Sequence, residues 1–392
     1  MKLAIDGGKP HLEQYDLTVR PGKEEIASVM DTLQKGYLAD FEGRQTVGEF
    51  EKKFAEYHSI KHAVACNSGT VAIHSAIAVM NAQEKTEVLV PAYTFITGVT
   101  PLLLEGLEPV FVDVDLKTLG MDLQKTKESV SENTIGLLPA HLYGFPCHIE
   151  HFSKMARRNN HFLIEDCCQA HGAKVGKRIV GTFGEVGCFS FFLRKNMTTG
   201  EGGMAITSDE GVYQELKTMR QCGKSKSNSL DFERLGFNYR MTDLTAAVGI
   251  PQLAKLNSNN KARLENAKIY TKRFKRMGFG IVPIRENTVP VYFKYPAFLP
   301  DGLVNNKEQF VQALRAENVP LVPFNTIPLP HVKFLQEIAQ KKGFKHKFWK
   351  QEFPVADYVH ERLINFYTVP QLSLDDIEAI CDAIEKVVNT SL

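Results

Sequence analysis

Two reactive side chains stand at the ends of apolar segments. Asp166 follows the apolar run 162–164, and a carboxylate buried at a strand end needs a cationic partner, such as a protonated pyridine nitrogen. Lys195 comes five residues after Ser190, and a lysine in a partly desolvated pocket is a nucleophilic amine toward an aldehyde. Taken alone, Asp166 is more often a helix cap, or a metal ligand together with His171, and Lys195 is more often a surface lysine.

A turn that suits an anion lies between a predicted strand at 63–66 and a predicted helix that begins near Val71. It carries Ser68, Gly69 and Thr70. A helix N-terminus presents free N–H groups and the positive end of the helix dipole, and both favour a phosphate group. An ordinary N-cap by Ser68 or Thr70 explains the same residues equally well.

Three polar side chains fit a ligand that combines a pyridine ring, an aldehyde and a phosphate, namely pyridoxal phosphate (PLP). The Ser190 hydroxyl is placed for a phosphate oxygen, ahead of the Gly-rich turn 200–203. Gln169 and His171 follow Asp166 closely enough to hydrogen-bond the same ligand. The sequence holds neither GxGxxG nor GxxxxGK[ST], which disfavours a dinucleotide or a P-loop nucleotide.

Two aromatic residues follow a further predicted strand, at 88–90. Either Tyr93 or Phe95 could stack on a pyridine ring at such a position. Each is more often simply part of the core, so the aromatic residues by themselves decide nothing.

The elements that position these residues alternate along the chain. The predicted strands are 63–66, 88–90, 109–112, 134–139, 162–164, 188–191 and 203–206, with helices such as 71–80 and 152–159 between them. Uninterrupted apolar strands that alternate with helices indicate βαβ units and a mostly parallel sheet covered on both faces. Ligands of such sheets gather at the carboxyl ends of the strands.

The chain of 392 residues is longer than one hydrophobic core usually becomes, so two unequal domains are expected. We predict a large α/β domain with an N-terminal arm over residues 1–255. Residues 256–392 are expected to form an interdomain helix and a small α+β domain. A helix over 245–277 with a kink or start at Pro251, and a strand at 289–293, belong to this expectation.

Composition limits the partners. Lys and Arg number 47 against 45 Asp and Glu, a near balance that gives no reason to expect nucleic acid or an anionic membrane. The seven cysteines show no CxxC spacing, which fits reduced thiols in a cytoplasmic protein and no metal site. The uncharged stretch 88–104 contains two prolines and predicts a buried strand and helix instead of a membrane span.

The order of these motifs resembles a known family, the DegT/DnrJ/EryC1/StrS aminotransferases. The likeness runs from about Gly36 to Leu253 and rests on five groups of residues: Asn67–Thr70, Pro91–Phe95, Glu165–Gly172, Phe189–Phe191 with Lys195 and Gly200–Gly203, and Gly236–Met241. It implies a PLP-dependent transferase of fold type I, like aspartate aminotransferase, and a homodimer with shared active sites.

The resemblance also implies a role for each matching residue. Lys195 would form the Schiff base with PLP, and Asp166 would pair with the pyridine nitrogen. Around the cofactor, Gln169 would contact the ring hydroxyl side, Phe95 would stack on the ring, and Ser68, Gly69, Thr70 and Ser190 would hold the phosphate. Asn238 would reach the phosphate from the neighbouring subunit, and Arg240 would bind the donor's carboxylate, with His171 and Tyr93 as further substrate contacts.

The implied reaction is ping-pong transfer of an amino group from glutamate or glutamine to a keto-sugar, commonly nucleotide-linked. A keto-cyclitol acceptor of the scyllo-inosose type and a PLP-binding regulator without turnover are the alternatives. A branch of the family that dehydrates sugar nucleotides has histidine in place of the lysine, and Lys195 argues against it. The chain departs from the family at Leu193–Arg194, at Cys222–Gly223 and over Val319–His331.

Overall fold

A seven-stranded sheet forms the centre of the molecule. The structure is a computed structural model that describes residues 2–39, 45–225, 230–322, 326–344, 349 and 351–391. Its strands are β1 (His62–Cys66), β2 (Glu87–Pro91), β3 (Glu108–Val112), β4 (Thr134–Leu137), β5 (Phe162–Asp166), β6 (Lys174–Val175), β7 (Arg178–Ile179), β8 (Val186–Ser190), β9 (Gly203–Thr207), β10 (Gly280–Ile281), β11 (Thr288–Val289), β12 (Tyr295–Phe298) and β13 (Leu363–Phe366).

The large sheet has the order β1-β9-β8-β5-β4-β2-β3. Strand β9 pairs antiparallel with both β1 and β8, and the other neighbouring strands are parallel. This confirms the predicted α/β class with a mostly parallel sheet. All seven predicted strands are present, each within two residues of its predicted bounds.

The helices of the described residues pack on this sheet and on the C-terminal part of the chain. They are α1 (Lys23–Gln34), α2 (Thr46–His58), α3 (Gly69–Ala78), α4 (Thr100–Leu104), α5 (Leu123–Ser129), α6 (Ile149–Asn159), α7 (Glu210–Arg220), α8 (Asp243–Arg276), α9 (Asp301–Val304), α10 (Lys307–Ala316), α11 (Lys333–Lys342), α12 (Pro354–Arg362) and α13 (Leu374–Ser391).

The two faces have separate cores because successive side chains of a strand point to opposite sides. In β1, Val64 belongs to the core cluster that includes α3, and Ala65 to the one that includes Phe50 and Phe54 of α2. Strands β2, β3, β8 and β9 are buried at every position. Their continuous apolar character in the sequence follows from this two-sided burial.

Helix α8 links the large sheet to a second, three-stranded sheet of order β10-β12-β13. It begins at Asp243, where Thr242 accepts a hydrogen bond from the Thr245 N–H, and Pro251 lies inside it. Pro251 is therefore not the start of the helix. The predicted domain boundary at 255/256 falls within this helix, and the division into two domains stays a prediction.

The predicted strand at 289–293 is wrong in its bounds. Only Thr288–Val289 pair, with β6, and the next strand starts at Tyr295. Tyr292 has a positive φ of 42°, which interrupts an extended strand. The backbone instead follows another loop, because the Val291 N–H donates to the Gly144 carbonyl and the Phe293 N–H to the Tyr143 carbonyl.

The N-terminal segment packs on the C-terminal helices. The Glu317 carboxylate, at the end of α10, accepts hydrogen bonds from the N–H groups of Ala4 and His11 at 2.8 Å each. It also pairs with Lys386 of α13 at 2.8 Å. Among the described helices, none combines the length and apolar character that a bilayer crossing requires.

A buried ion pair fastens two helices to β1, and its removal gives the first testable prediction. Glu51 of α2 accepts hydrogen bonds from the Ala65 N–H at 2.7 Å and from the guanidinium of Arg220. Arg220→Met would leave the Glu51 carboxylate buried without its cation, and we expect a loss of roughly 3–5 kcal/mol in the free energy of unfolding.

Denaturant unfolding followed by circular dichroism measures this loss. The matched control is Lys52→Met, which removes an exposed ion pair with Glu56 at 4.0 Å and should cost about 0.5 kcal/mol or less. Equal effects of the two substitutions would contradict the structural role of the buried pair.

Candidate active site

The candidate site lies where three parallel strands of the large sheet end. Asp166 is the last residue of β5 and pairs with Cys188 in β8, and Ser190 is the last residue of β8. Helix α3 begins at Gly69, three residues after β1 ends. Because these carboxyl ends share one edge of the sheet, chain segments far apart in sequence contribute to one site.

The N-terminus of α3 packs directly on the end of β8. A Cβ atom at Gly69 would stand 2.5 Å from the Ser190 Cβ and 3.0 Å from the Cys168 Sγ. Ser68 is the N-cap, and its hydroxyl accepts a hydrogen bond from the Val71 N–H at 3.3 Å. The structure therefore brings the Ser68–Thr70 turn and Ser190 together, with Thr70 exposed.

Lys195 follows this edge in the loop after β8. Its backbone N–H donates to the Phe192 carbonyl, and its Nζ lies 4.8 Å from the centre of the Phe293 ring. Burial lowers the pKa of Lys195, against the opposing influence of Cys168 and Asp166. A lowered pKa raises the fraction of neutral, nucleophilic amine at neutral pH.

Asp166 is 9% exposed and is held by the segment that follows β4 and by its own turn. Its backbone N–H donates to the Pro139 carbonyl, its carbonyl accepts from the His141 N–H, and its Oδ1 accepts from the Cys168 N–H at 3.0 Å. Within the described ranges, no Lys, Arg or His lies within ion-pair distance of its carboxylate. A buried carboxylate in this state favours a cation that comes from a ligand.

Glu165, the neighbour of Asp166, is bound by backbone N–H groups of its own chain. Its fully buried carboxylate accepts hydrogen bonds from the N–H groups of Gly181 at 2.8 Å and Gly184 at 3.0 Å, and it contacts His141 Nε2 at 3.2 Å. Ligand atoms of His141, Glu165 and Cys167 lie within 4.8 Å of one another. Since these N–H donors already occupy the Glu165 oxygens, we interpret the group as an anchor for the end of β5.

Gln169 positions a strained loop beside the site. Its Oε1 accepts a hydrogen bond from the Tyr143 N–H at 2.8 Å. Tyr143 has a positive φ of 55°, a conformation that costs energy in a residue with a side chain. The Gln169 side chain thus contributes to holding this loop, in addition to any ligand contact.

The ring-bearing candidates differ in how far they are exposed. Phe95 is 43% exposed, whereas Tyr93 is fully buried and its hydroxyl lies 3.4 Å from that of Tyr143. His171 is also fully buried, in contact with the Phe189 and Phe191 rings at 5.5 and 5.8 Å between ring centres. Of the three, Phe95 alone has a ring exposed enough to stack on a ligand, and the roles of all three toward a ligand stay predictions.

Residues 236–241 reach the same edge through Tyr239, whose carbonyl accepts a hydrogen bond from the Asn67 N–H at 3.0 Å. The side chain of Asn238 is exposed, and Arg240 donates to Gln221 Oε1 at 3.1 Å. The roles expected of Asn238 and Arg240 toward a phosphate and a carboxylate stay predictions.

Sequence reasoning missed a cavity of about 670 Å³ beside Lys195. Its lining includes Arg194, Arg263 and Lys294, together with the N-terminal residues 15–20. No spacing in the sequence indicated Lys294, because it follows a segment that was expected to be a strand. The region Val319–His331, expected to shape an acceptor pocket, contributes Val322 to this lining, and its residues 323–325 lie outside the described ranges.

Comparisons with known proteins agree with this geometry. A family model of the DegT/DnrJ/EryC1/StrS aminotransferases matches residues 20–385. The chain is 35% identical over 296 residues to the GDP-perosamine synthase of Caulobacter vibrioides, covering 75% of this chain and 78% of that protein. It is 30% identical over 347 residues to the GDP-perosamine synthase of Escherichia coli O157:H7, covering 87% and 89%.

Among solved structures, the aminotransferase from Psychrobacter cryohalolentis superposes with a TM-score of 0.87 at 26% identity, covering 96% of this chain and 99% of that chain. The sheet order and this superposition are those of a PLP-dependent transferase of fold type I. The chain belongs to the DegT/DnrJ/EryC1/StrS aminotransferase family.

The contact between α3 and β8 generates a second prediction. Gly69→Ala would force the helix N-terminus away from Ser190, and we expect a loss of roughly 1–3 kcal/mol in unfolding free energy from overpacking. Gly98→Ala is the matched control at the same edge, because its Cβ would meet neighbours at ordinary distances of 3.8 and 3.9 Å. Thermal unfolding of both variants measures the difference, and equal midpoints would contradict the close packing.

Burial of His171 generates a third prediction, on pH. Burial, together with Lys195, lowers the pKa of His171 to about 3, whereas an unfolded histidine binds a proton near pH 6.5. The unfolded state therefore binds more protons below pH 6.5, and stability falls by about 1.4 kcal/mol per pH unit for this group between pH 6 and pH 4. His171→Leu should flatten the dependence of unfolding free energy on pH, and an unchanged slope would contradict a neutral His171.

Proposed function

We propose that this aminotransferase binds PLP on Lys195 and moves an amino group from glutamate or glutamine to a nucleotide-linked keto-sugar. The observation that carries the proposal is that a half-buried lysine of lowered pKa and the buried carboxylate of Asp166 lie at one edge of the sheet. The names of its relatives, two GDP-perosamine synthases, support a sugar acceptor.

The residues present fit PLP in three respects. The Asp166 carboxylate, nine-tenths buried and without a cation among the described residues, suits a protonated pyridine nitrogen. The N-terminus of α3, packed on Ser190, suits the phosphate, because free N–H groups and the helix dipole favour an anion there. The exposed ring of Phe95 suits stacking on the pyridine face.

When bound, PLP would supply an electron sink for the bond broken at the substrate Cα. Lys195 Nζ would hold the cofactor's aldehyde carbon and, when it is free, would move the proton at the substrate Cα. Asp166 would keep the pyridine nitrogen charged, and Gln169 would orient the ring hydroxyl side.

We further propose that two copies of the chain share the active sites. Four side chains of the segment 230–237 are exposed apolar groups: Leu230 by 89%, Phe232 by 60%, Leu235 by 90% and Phe237 by 51%. Such a patch is typical of a surface that another protein covers. Asn238 follows it directly and is exposed, so we assign it to a phosphate held by the second copy. We assign Arg240, a planar bidentate cation, to the donor's carboxylate.

The mechanism is tested on protein reconstituted with PLP. L-Glutamate should remove the visible absorbance of the lysine-bound cofactor in the wild-type protein, and Lys195→Ala should lose turnover by at least a thousandfold. Lys174→Ala, at a half-buried lysine of β6, is the matched control and should behave as the wild type. Full turnover by Lys195→Ala would refute the mechanism, and no spectral change with any amino donor would favour a non-catalytic PLP-binding protein.

The acceptor is tested by a ketone screen with mass detection of the aminated product. Nucleotide-linked keto-sugars are expected to react, and free or phosphorylated keto-sugars and inososes complete the panel. Amination of an inosose alone would replace the sugar proposal with the cyclitol alternative. No amination of any ketone would refute the acceptor class.

A further inference from the structure

The cavity beside Lys195 carries a large excess of positive charge. Among the described residues of its lining, six are basic and two are acidic, a difference of four: Arg20, Arg194, Lys195, Lys255, Arg263 and Lys294 against Asp16 and Glu25. Both carboxylates are already paired, Asp16 with Arg20 at 2.6 Å and Glu25 with Lys255 at 2.8 Å. The other four basic residues, Arg194, Lys195, Arg263 and Lys294, line the same cavity.

Arg263 is a buried arginine of this lining. It is 4% exposed, and Nη1 donates to the Thr368 hydroxyl at 3.2 Å and to the Phe293 carbonyl at 3.4 Å. Its Nε is buried without a hydrogen-bond partner, and no described carboxylate lies within ion-pair distance of its guanidinium. Burial lowers the pKa of Arg263 to about 10. A buried arginine with neutral partners is stabilised by an anion that a ligand brings.

Arg194 and Lys294 line the same cavity. Arg194 donates to the Tyr367 hydroxyl at 2.9 Å, so this departure from the family pattern is held at the cavity. The Nζ atoms of Lys294 and Lys195 lie 5.2 and 4.8 Å from the centre of one ring, that of Phe293. Burial, and then the charges of Lys195 and Arg194, lower the pKa of Lys294 to about 7.

We propose that Arg194, Arg263 and Lys294 form a binding site for an oxyanion, a phosphate or a carboxylate, carried by a substrate beside Lys195. The site is separate from the α3 N-terminus, where the cofactor's phosphate is assigned, and the inference rests on the proposed function. Guanidinium forks and an ammonium group are suited to such oxyanions. The volume of about 670 Å³ also has room for a molecule larger than an amino acid.

The direct test measures binding to the PLP-loaded protein, in which the cofactor's phosphate site is filled. Inorganic pyrophosphate and L-glutamate are the probes, titrated by calorimetry. We expect Lys294→Met and Arg194→Gln each to weaken binding of at least one probe by tenfold or more, and Lys294→Arg to restore most of it. Lys307→Met is the matched control, since Lys307 is also a lysine with a pKa lowered by burial, to about 8, but lines a different cavity.

Kinetics then identify which substrate carries the oxyanion. A rise in KM for the ketone, with an unchanged glutamate half-reaction, assigns the site to the acceptor's phosphate. A rise in the glutamate concentration needed for the cofactor's spectral change assigns it to the donor's carboxylate. Wild-type affinity and KM for both substrates in Lys294→Met and Arg194→Gln would overturn the inference. That outcome differs from failure of the proposed function, in which the wild-type protein shows no spectral change.

Discussion

The close packing of α3 on the end of β8 is the constraint on which the site depends. With no room for a Cβ at Gly69, the helix N-terminus lies against Ser190 and within reach of the loop after Asp166. A wider separation would pull the anion-binding end of the helix away from the lysine and the carboxylate. The buried apolar strands of the large sheet supply the rigidity that this contact requires.

Groups of opposite charge lie on the two sides of Lys195. On the sheet side, Asp166 is a buried carboxylate without a described cation nearby. On the cavity side, Arg194, Arg263 and Lys294 are cations that surround a space without a free carboxylate in the described lining. The proposed cofactor, with its protonated ring nitrogen, would compensate the first, and the proposed anionic substrate would compensate the second. Half-buried Lys195 lies between the two.

Much of the fold and of the cofactor side of the site follows from local sequence. Two-sided burial requires continuous apolar strands, so the seven strands and the edge at which they end are readable from the chain. Asp166, Ser190 and Ser68 stand immediately at strand or helix ends, and Lys195 soon after, where neighbours in sequence determine position. Local pattern failed at 289–293, since the backbone there is held by Tyr143 and Gly144, which are distant in sequence.

The sequence by itself determined the class of sheet, the strand-end residues and, through Lys195, the expectation of a covalent amine. Only the tertiary structure decided that Phe95 and not Tyr93 is exposed at the site, and that Glu165 anchors the strand beside the carboxylate. It also decided that Arg194, Arg263 and Lys294 face one cavity. The physical reason is that burial and the surrounding charges depend on segments that are distant in sequence, which no local spacing records.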